Sequence, residues 1–481
     1  MAVPIMRRAA LALFALAAGC AEDLPGFPPP SDQLHFPVSV AVDGAHLLIV
    51  SSNFDQRYNA GSVMALSLPG LAALAPSTAG DPAIARELPP TGRSQIKISQ
   101  FGGQILVVPR GNESEVYVAS RRANRVTRAR FSGGALDCSN GVVQGRVLGT
   151  DCTPARTIDV NALAVDIIAE DPFALAFVPS GGPRGTVVVG NLQFLSGSLG
   201  GGDIGFGTIG LIDPAVVDGN LTAEQNGTLT ATATRNVLVA GLGGTTGFAV
   251  IPGTDEILAS SADGVEDQAV VSRFGVVRTS SNGLTLLRQN DISVGRVSGV
   301  DGTRGVVASA GGTRAYASVR LRQRSSITGR GATIFNSAIA VISLPDNRLI
   351  SLTEVGEELG GLALLERSTP NAAFQRLLYV ADIRSDRIFV LDATTDVPVL
   401  VHVIEPHLLG STQRLIASPG QILILPEAAR AQVDGRTLAF VPNFANSTLA
   451  VLDLGDPDPR KHRVVARVGR ALSDDGTEEV Q

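Results

Sequence analysis

One apolar phrase recurs seven times along this 481-residue chain, and that repetition constrains the fold more than any other feature. A small residue or proline opens an alternating strand in PVSVAV at Pro37, GQILVVP at Gly103, PFALAFVP at Pro172, GFAVIP at Gly247, GVVASA at Gly305, GLALLE at Gly361 and GQILILP at Gly420. The shortest interval, Gly305 to Gly361, is 56 residues, and the longest, Pro172 to Gly247, is 75. A turn and a second strand follow each copy (AHLLIVSSN, SEVYVASRR, GTVVVGNLQ, DEILASSAD, TRAYASVRL, QRLLYVADI, RTLAFVPNF), and then a third such as GSVMALSL, NRVTRARF or DRIFVLDA. A looser fourth strand is visible in LTATATRNVLV and VPVLVHVI. Four short alternating strands per unit, separated by Gly, Asp and Pro turns, predict a propeller blade. Seven units predict an all-β, seven-bladed β-propeller of four-stranded antiparallel blades over residues 36–469. An α/β enzyme would need helical periodicity between strands, and only LPGLAALAP and LPEAARAQV look helical. A β-helix would repeat at a much shorter period.

The copy LLYVADIRSDRIFVLDATTDVPV resembles the YVTN-type propeller repeat, in which a tyrosine-valine strand, a polar turn and a strand ending in aspartate follow in order. TLAFVPNFANSTLAVLDL and EVYVASRRANRVTRARF are similar to it in a more degenerate form, and the likeness is strongest in the last two blades. The resemblance implies a propeller and, by the family's membership, a cell-surface or periplasmic binding protein with no shared active site.

The chain opens on MAVPIMRR, continues with an apolar run from Ala9 to Ala18 and reaches Cys20 after small residues. That order predicts a secretory signal over 1–19, too short to span a bilayer. Ala17-Ala18-Gly19-Cys20 resembles the bacterial lipobox, which implies lipidation of Cys20. It departs from the pattern in having Ala17 where leucine is usual, so an ordinary cleavable signal with a chance cysteine is the alternative. Ala21 after the cysteine points to the outer membrane. Residues 20–35 read as a lipidated cysteine with a Pro-rich tether, and 470–481 as an acidic disordered tail. In an oxidising compartment the remaining pair, Cys138 and Cys152, predicts a disulfide closing a polar loop, worth about 3 kcal/mol by chain entropy. Two separate buried thiols are the alternative.

The formal charge of −6 becomes −8 when Arg7 and Arg8 leave with the signal, which disfavours nucleic acid as a partner. Several stretches imitate catalytic or metal motifs. GGGDIG at 200–205 fits the dinucleotide pattern but precedes a strand, so it reads as a loop. His402, Glu405 and His407 are interrupted by Pro406, which spoils a convergent ligand set. Asp263, Glu266 and Asp267 in SADGVED could hold Ca²⁺ but lack the spacing of a dedicated loop. No catalytic serine elbow or Ser/His/Asp set is present. The innermost strands offer Ser39, Gln104, Ser309, Glu366 and Gln421, too few carboxylates for a propeller that holds a central divalent cation.

Arginine gives the better hint. Arg320, Arg322 and Arg324 alternate at the end of a second strand, and Arg121, Arg122 and Arg125 follow the second strand of another copy, where they could grip an oxyanion. Four antiparallel strands place the second-to-third connections and the links between blades at one end of the ring, and the longest insertions fall there. This face is expected to carry Arg121, Arg122, Asn191, Arg320, Arg322, Asp382 and Asn443 as a polar, partly cationic surface. The expectation is a non-catalytic, lipid-anchored cell-envelope scaffold, without cofactor, that binds a protein, peptide or anionic polysaccharide. The alternative is a propeller hydrolase or lyase with a divalent metal in its channel.

Overall fold

Side chains on the middle strands are apolar on both faces, as in HLLIVS and GSVMALS, so each sheet must be covered on both sides. A ring of sheets meets that demand. The computed structural model describes residues 27–76, 80–138, 142–143, 146–147, 150–152, 157–159, 169–179, 184–194, 207–214, 234–239, 244–261, 269–278, 284–294, 300–324, 333–367, 373–407 and 413–472.

The chain is a seven-bladed β-propeller of antiparallel sheets. Blade 1 holds Pro37–Asp43, His46–Ser51, Gly61–Ser67 and Ser94–Ile98; blade 2 holds Gly102–Arg110, Glu113–Ser120, Arg125–Ser132 and Thr157–Asp159. Blades 3 and 4 begin with Ala169–Val178 and Thr245–Val250, and blades 5 and 6 with Val300–Ala308 and Leu359–Glu366. Blade 7 begins with the short Leu423–Ile424 and continues through Leu438–Asn443, Thr448–Asp453 and Arg463–Val468. Seven apolar clusters fill the seven blade interfaces, from blades 1 and 2 (Val50, Val118) round to blades 7 and 1 (Phe440, Leu47). Stability is therefore distributed around the ring rather than held in one centre.

Polar atoms on the inner strands stitch one blade to the next. Ser39 accepts the N–H of Ile105 (3.1 Å), Gln104 that of Leu175 (3.0 Å) and Gln421 that of Val40 (2.8 Å), the last bond closing the ring. Gly361 lets two inner strands approach, since a Cβ there would lie 2.9 Å from the backbone of blade 7.

The upper face carries the second-to-third turns and the links between blades. Residues with left-handed backbone enter the first strands of blades 1, 2, 3 and 7: Phe36, Phe101, Asp171 and Ser418. The preceding blade's turn holds three of them by their N–H groups: Asn124 to Asp171 (2.9 Å), Asp386 to Ser418 (2.7 Å) and Ser447 to Phe36 (3.0 Å).

At the rim, third-to-fourth connections lean back onto the outer strand of the preceding blade. Ala83–Ala85 of blade 1 pairs parallel with Arg463–Val468 of blade 7, and Asp151 of blade 2 bridges Lys97 of blade 1. Cys138 and Cys152 form the expected disulfide and are buried beside that second contact. The two helical-looking stretches are a short helix, Leu68–Leu74, capped by Ser67, and a 3-10 turn, Glu427–Val433, which meet at the blade 7 and blade 1 seam. Of the Pro-rich segment, Leu34 is buried and Pro30 accepts a bond from Gln95 (2.9 Å), so its described part lies on blade 1. Among the described residues no helix is long and apolar enough to cross a membrane. Cys20, the loops 200–205 and 262–268, and the end from 473 lie outside the described residues.

Candidate functional site

Aromatic residues make up 4% of the sequence, with no tryptophan, yet four of the 17 phenylalanines meet at one mouth of the ring. Phe36 sits in the segment that leads into blade 1 and Phe101 in the link from blade 1 to blade 2, while Phe54 and Phe444 lie in second-to-third turns. Ring closure brings Phe444 within 5.1 Å of Phe36 and 5.4 Å of Phe54, and Phe101 lies 5.7 Å from Phe54, edge to face. Phe36 and Phe101 are held in left-handed backbone, which a bulky side chain adopts at a cost of about 1–2 kcal/mol. Phe54 remains 52% exposed. His35 stacks edge-on against Phe36 and Tyr58 and bonds Asp55 at 2.7 Å. Burial lowers the His35 pKa despite that carboxylate, so the ring is neutral and donates Nε2–H to it.

Beside this cluster opens a cleft of about 510 Å³ lined by Phe54, Gln56, Phe101, Arg121, Arg122, Asn124 and Asp171. Arg121 is committed: it forms two bonds to Asp171 (2.5 and 2.8 Å) and lies 5.8 Å above the Phe173 ring. Arg122 is exposed, lies 5.9 Å above Phe101 and donates to the amide oxygens of Gln56 (2.5 Å) and Gln100 (3.2 Å). Of the three arginines singled out in the second copy, Arg121 and Arg122 line the cleft, whereas Arg125 begins the third strand.

The other expected face residues are placed differently. Asp382 is fully buried and its carboxylate accepts the N–H groups of Glu357 (2.8 Å), Glu358 (3.2 Å), Arg384 (3.0 Å) and Ser385 (3.3 Å). Asn443, also buried, accepts from Ala417 (3.3 Å) and donates to Leu415 and Thr448 (both 2.9 Å). Asn191 is buried against Thr208 (2.8 Å). These three occupy one register position on the second strand of their blades, opposite Pro172, Leu359 and Pro419 respectively. There they order the surrounding loops rather than meet solvent. Arg320 takes the same position in blade 5 and is half-buried, while the side chain of Arg322 lies outside the described residues.

His402, Glu405 and His407 line one open cavity of about 320 Å³ beside His462, but each is turned to its own partner. His402 donates to the carbonyl of His462 (3.0 Å), Glu405 pairs with Arg387 (3.0 Å) and His407 bridges to Arg414. Among the described residues no cluster of three or more His, Cys, Asp or Glu is arranged to hold a metal. Ser309 and Glu366 accept the N–H groups of Arg314 (3.1 Å) and Ala310 (2.6 Å), so all five inner polar side chains are engaged. At the lower end of blade 2, the buried carboxylate of Glu115 receives Arg110 (2.9 Å), Arg184 (2.7 Å), Arg128 and the Tyr117 hydroxyl (3.1 Å).

The chain matches no protein-family model and no curated protein. Among solved structures it is similar to hydrazine synthase from Kuenenia stuttgartiensis, with TM-score 0.51 and 12% identity over 88% of this chain and 97% of that one. It is also similar to a protein of unknown function from Desulfotomaculum acetoxidans (TM-score 0.44, 11% identity, 84% and 96% covered) and to a 6-phosphogluconolactonase-like protein from Bacteroides fragilis (0.43, 15%, 80% and 86%). At 12% identity the likeness to hydrazine synthase speaks for the fold alone.

Proposed function

We propose that this chain is a non-catalytic binding scaffold of the bacterial cell envelope, a YVTN-type propeller lipoprotein held by lipid on Cys20 in the outer membrane. Its upper face takes a protein, peptide or polysaccharide. The observation that carries the reading is the gathering of Phe36, Phe54, Phe101 and Phe444 beside Arg122 at one mouth of a ring otherwise poor in aromatics. Exposed aromatic surface costs solvation and persists where a partner covers it. The inner polar side chains on which a channel metal would draw are spent on backbone N–H groups, which favours binding over metal-dependent hydrolysis.

Titrating the purified full chain with peptide and polysaccharide fractions of the envelope tests this reading. Phe54→Ala is expected to weaken the binding fraction at an unchanged melting temperature; equal binding refutes the assignment. Stoichiometric Ca²⁺ or Zn²⁺ in the purified protein would replace it with the hydrolase reading. Detergent partitioning tests the anchor: a Cys20→Ser variant that still fractionates with membranes would remove it.

A further inference from the structure

Blade 6 supplies an internal standard for the cleft. Ser120 pairs with Gly102 in blade 2 and Asp382 pairs with Leu359 in blade 6, so the turns that follow, Arg121 to Asn124 and Ile383 to Asp386, are in the same register. Arg122 therefore stands where Arg384 stands, and Gln100 where Glu357 stands. In blade 6 the arginine meets its carboxylate, with Arg384 Nε 3.2 Å from Glu357. In blade 2 the same place holds an amide, whose oxygen accepts an N–H bond from Arg122 at 3.2 Å but cannot neutralise the charge. Gln56 offers a second neutral oxygen. The carboxylate in the cleft lining, Asp171, is taken bidentately by Arg121. One guanidinium charge is thus left facing an open cleft beside the half-exposed ring of Phe54.

We infer that this cleft binds a flat organic monoanion, its carboxylate on Arg122 and its apolar body against Phe54. The inference rests on the binding reading above and names its ligand chemistry. One uncompensated cation matches one negative charge, whereas a dianion would need a second. Arginine recognises a planar carboxylate with two parallel bonds, which Lys would not supply. The volume, about 510 Å³, is in the range of small-ligand sites and accommodates a bicyclic body or the end of a larger chain. Arg122 is already stacked over Phe101 and tethered by two amides, so little side-chain freedom is lost on binding.

Calorimetric titration of the full chain with 2-naphthoate, and with the neutral 2-naphthylmethanol, tests the inference. Naphthoate is expected to bind, and the alcohol about tenfold more weakly or worse. Gln100→Glu, which restores the carboxylate that blade 6 has, is expected to cost naphthoate about tenfold in affinity with no loss of thermal stability. Arg122→Gln should do the same, and Arg384→Gln should leave binding unchanged. Equal binding of acid and alcohol, undiminished binding by Gln100→Glu, or no naphthoate binding at all would each overturn it. If an envelope peptide or polysaccharide still binds in a Phe54-dependent way while naphthoate does not, the scaffold reading stands and the monoanion falls.

Discussion

At the lower end of blade 2, guanidinium groups from Arg110, Arg128 and Arg184 converge on one carboxylate, that of Glu115, whose side chain is 7% exposed. At the upper end, about the length of one strand away, Arg122 is exposed and has amide oxygens for partners. The same residue type serves opposite ends. Burial demands that charge be paired, since an unpaired buried ion costs several kcal/mol, so the lower set is a closed network tying blade 2 to blade 3. Exposure tolerates an unmatched charge at little cost, and there it remains available to something outside the chain.

The largest effect that would test this contrast is at Glu115. Replacing it with Ala leaves its arginines around an empty place and is expected to cost about 3–5 kcal/mol in denaturant unfolding. A loss below about 1 kcal/mol would make the network no different from surface pairs and remove the distinction. Acid should act in the same direction. Burial raises the Glu115 carboxyl, but Arg128 and Arg110 outweigh it and hold it below its ordinary 4.5. Its contribution is therefore complete above pH 4.5 and lost as pH falls through the folded value. His462 fails earlier. Burial outweighs the carbonyl of Asp456 and lowers its pKa below 6.5, so the neutral ring donates Nε2–H to that carbonyl (2.8 Å) and accepts from Tyr379 (2.8 Å) at Nδ1. Stability is expected to decline as pH falls below 6.5, with a second decline below 4.5; a flat melting temperature between pH 7 and 5 would contradict the histidine assignment.

Smaller changes sharpen the upper half of the comparison. Asp171→Asn releases Arg121 from its bidentate bonds and is expected to cost about 1 kcal/mol while tightening naphthoate binding, because a second cation then faces the cleft. Weaker binding would show that Arg121 and Asp171 position the site. The smallest effect belongs to Arg122→Gln, expected within about 0.5 kcal/mol of the parent in unfolding. A large stability loss there would class Arg122 with the buried set.

Strand alternation and turn residues made the blades legible, because each repeat carries them locally. Cys138 and Cys152 were legible for the same reason, being 14 residues apart. The aromatic cluster was not. Phe36 and Phe444 lie at opposite ends of the chain and meet through ring closure, and nothing local to HFP or NFA announces a partner. Asn191, Asp382 and Asn443 show the converse: each is a polar residue after an apolar run, but the sequence does not tell a solvent-facing residue from one buried against its neighbours. The sequence alone misplaces the comparison of Gln100 as well, since aligning the glycine pairs of QFGG and EELGG sets it opposite Glu358, whereas strand pairing sets it opposite Glu357.

The seam between blades 7 and 1 has a consequence in time. Val40 bonds to Gln421 across 381 residues, and Ala83–Ala85 waits for Arg463–Val468. A chain that emerges from its amino end must carry Leu47, Ile49 and Met64 uncovered until the last blade is made, because their cover is Phe440, Leu449 and Val451. Long-range closure of this kind is slow, and a half-made ring presents an adhesive side to its neighbours. A chain stopped at residue 418 is expected to self-associate on refolding, with light scattering as the readout, whereas one that stayed monomeric would mean that six blades close without the seventh. On this topology blade 7, made after the other six, acts as the latch, and the seam stays open until that blade is in place.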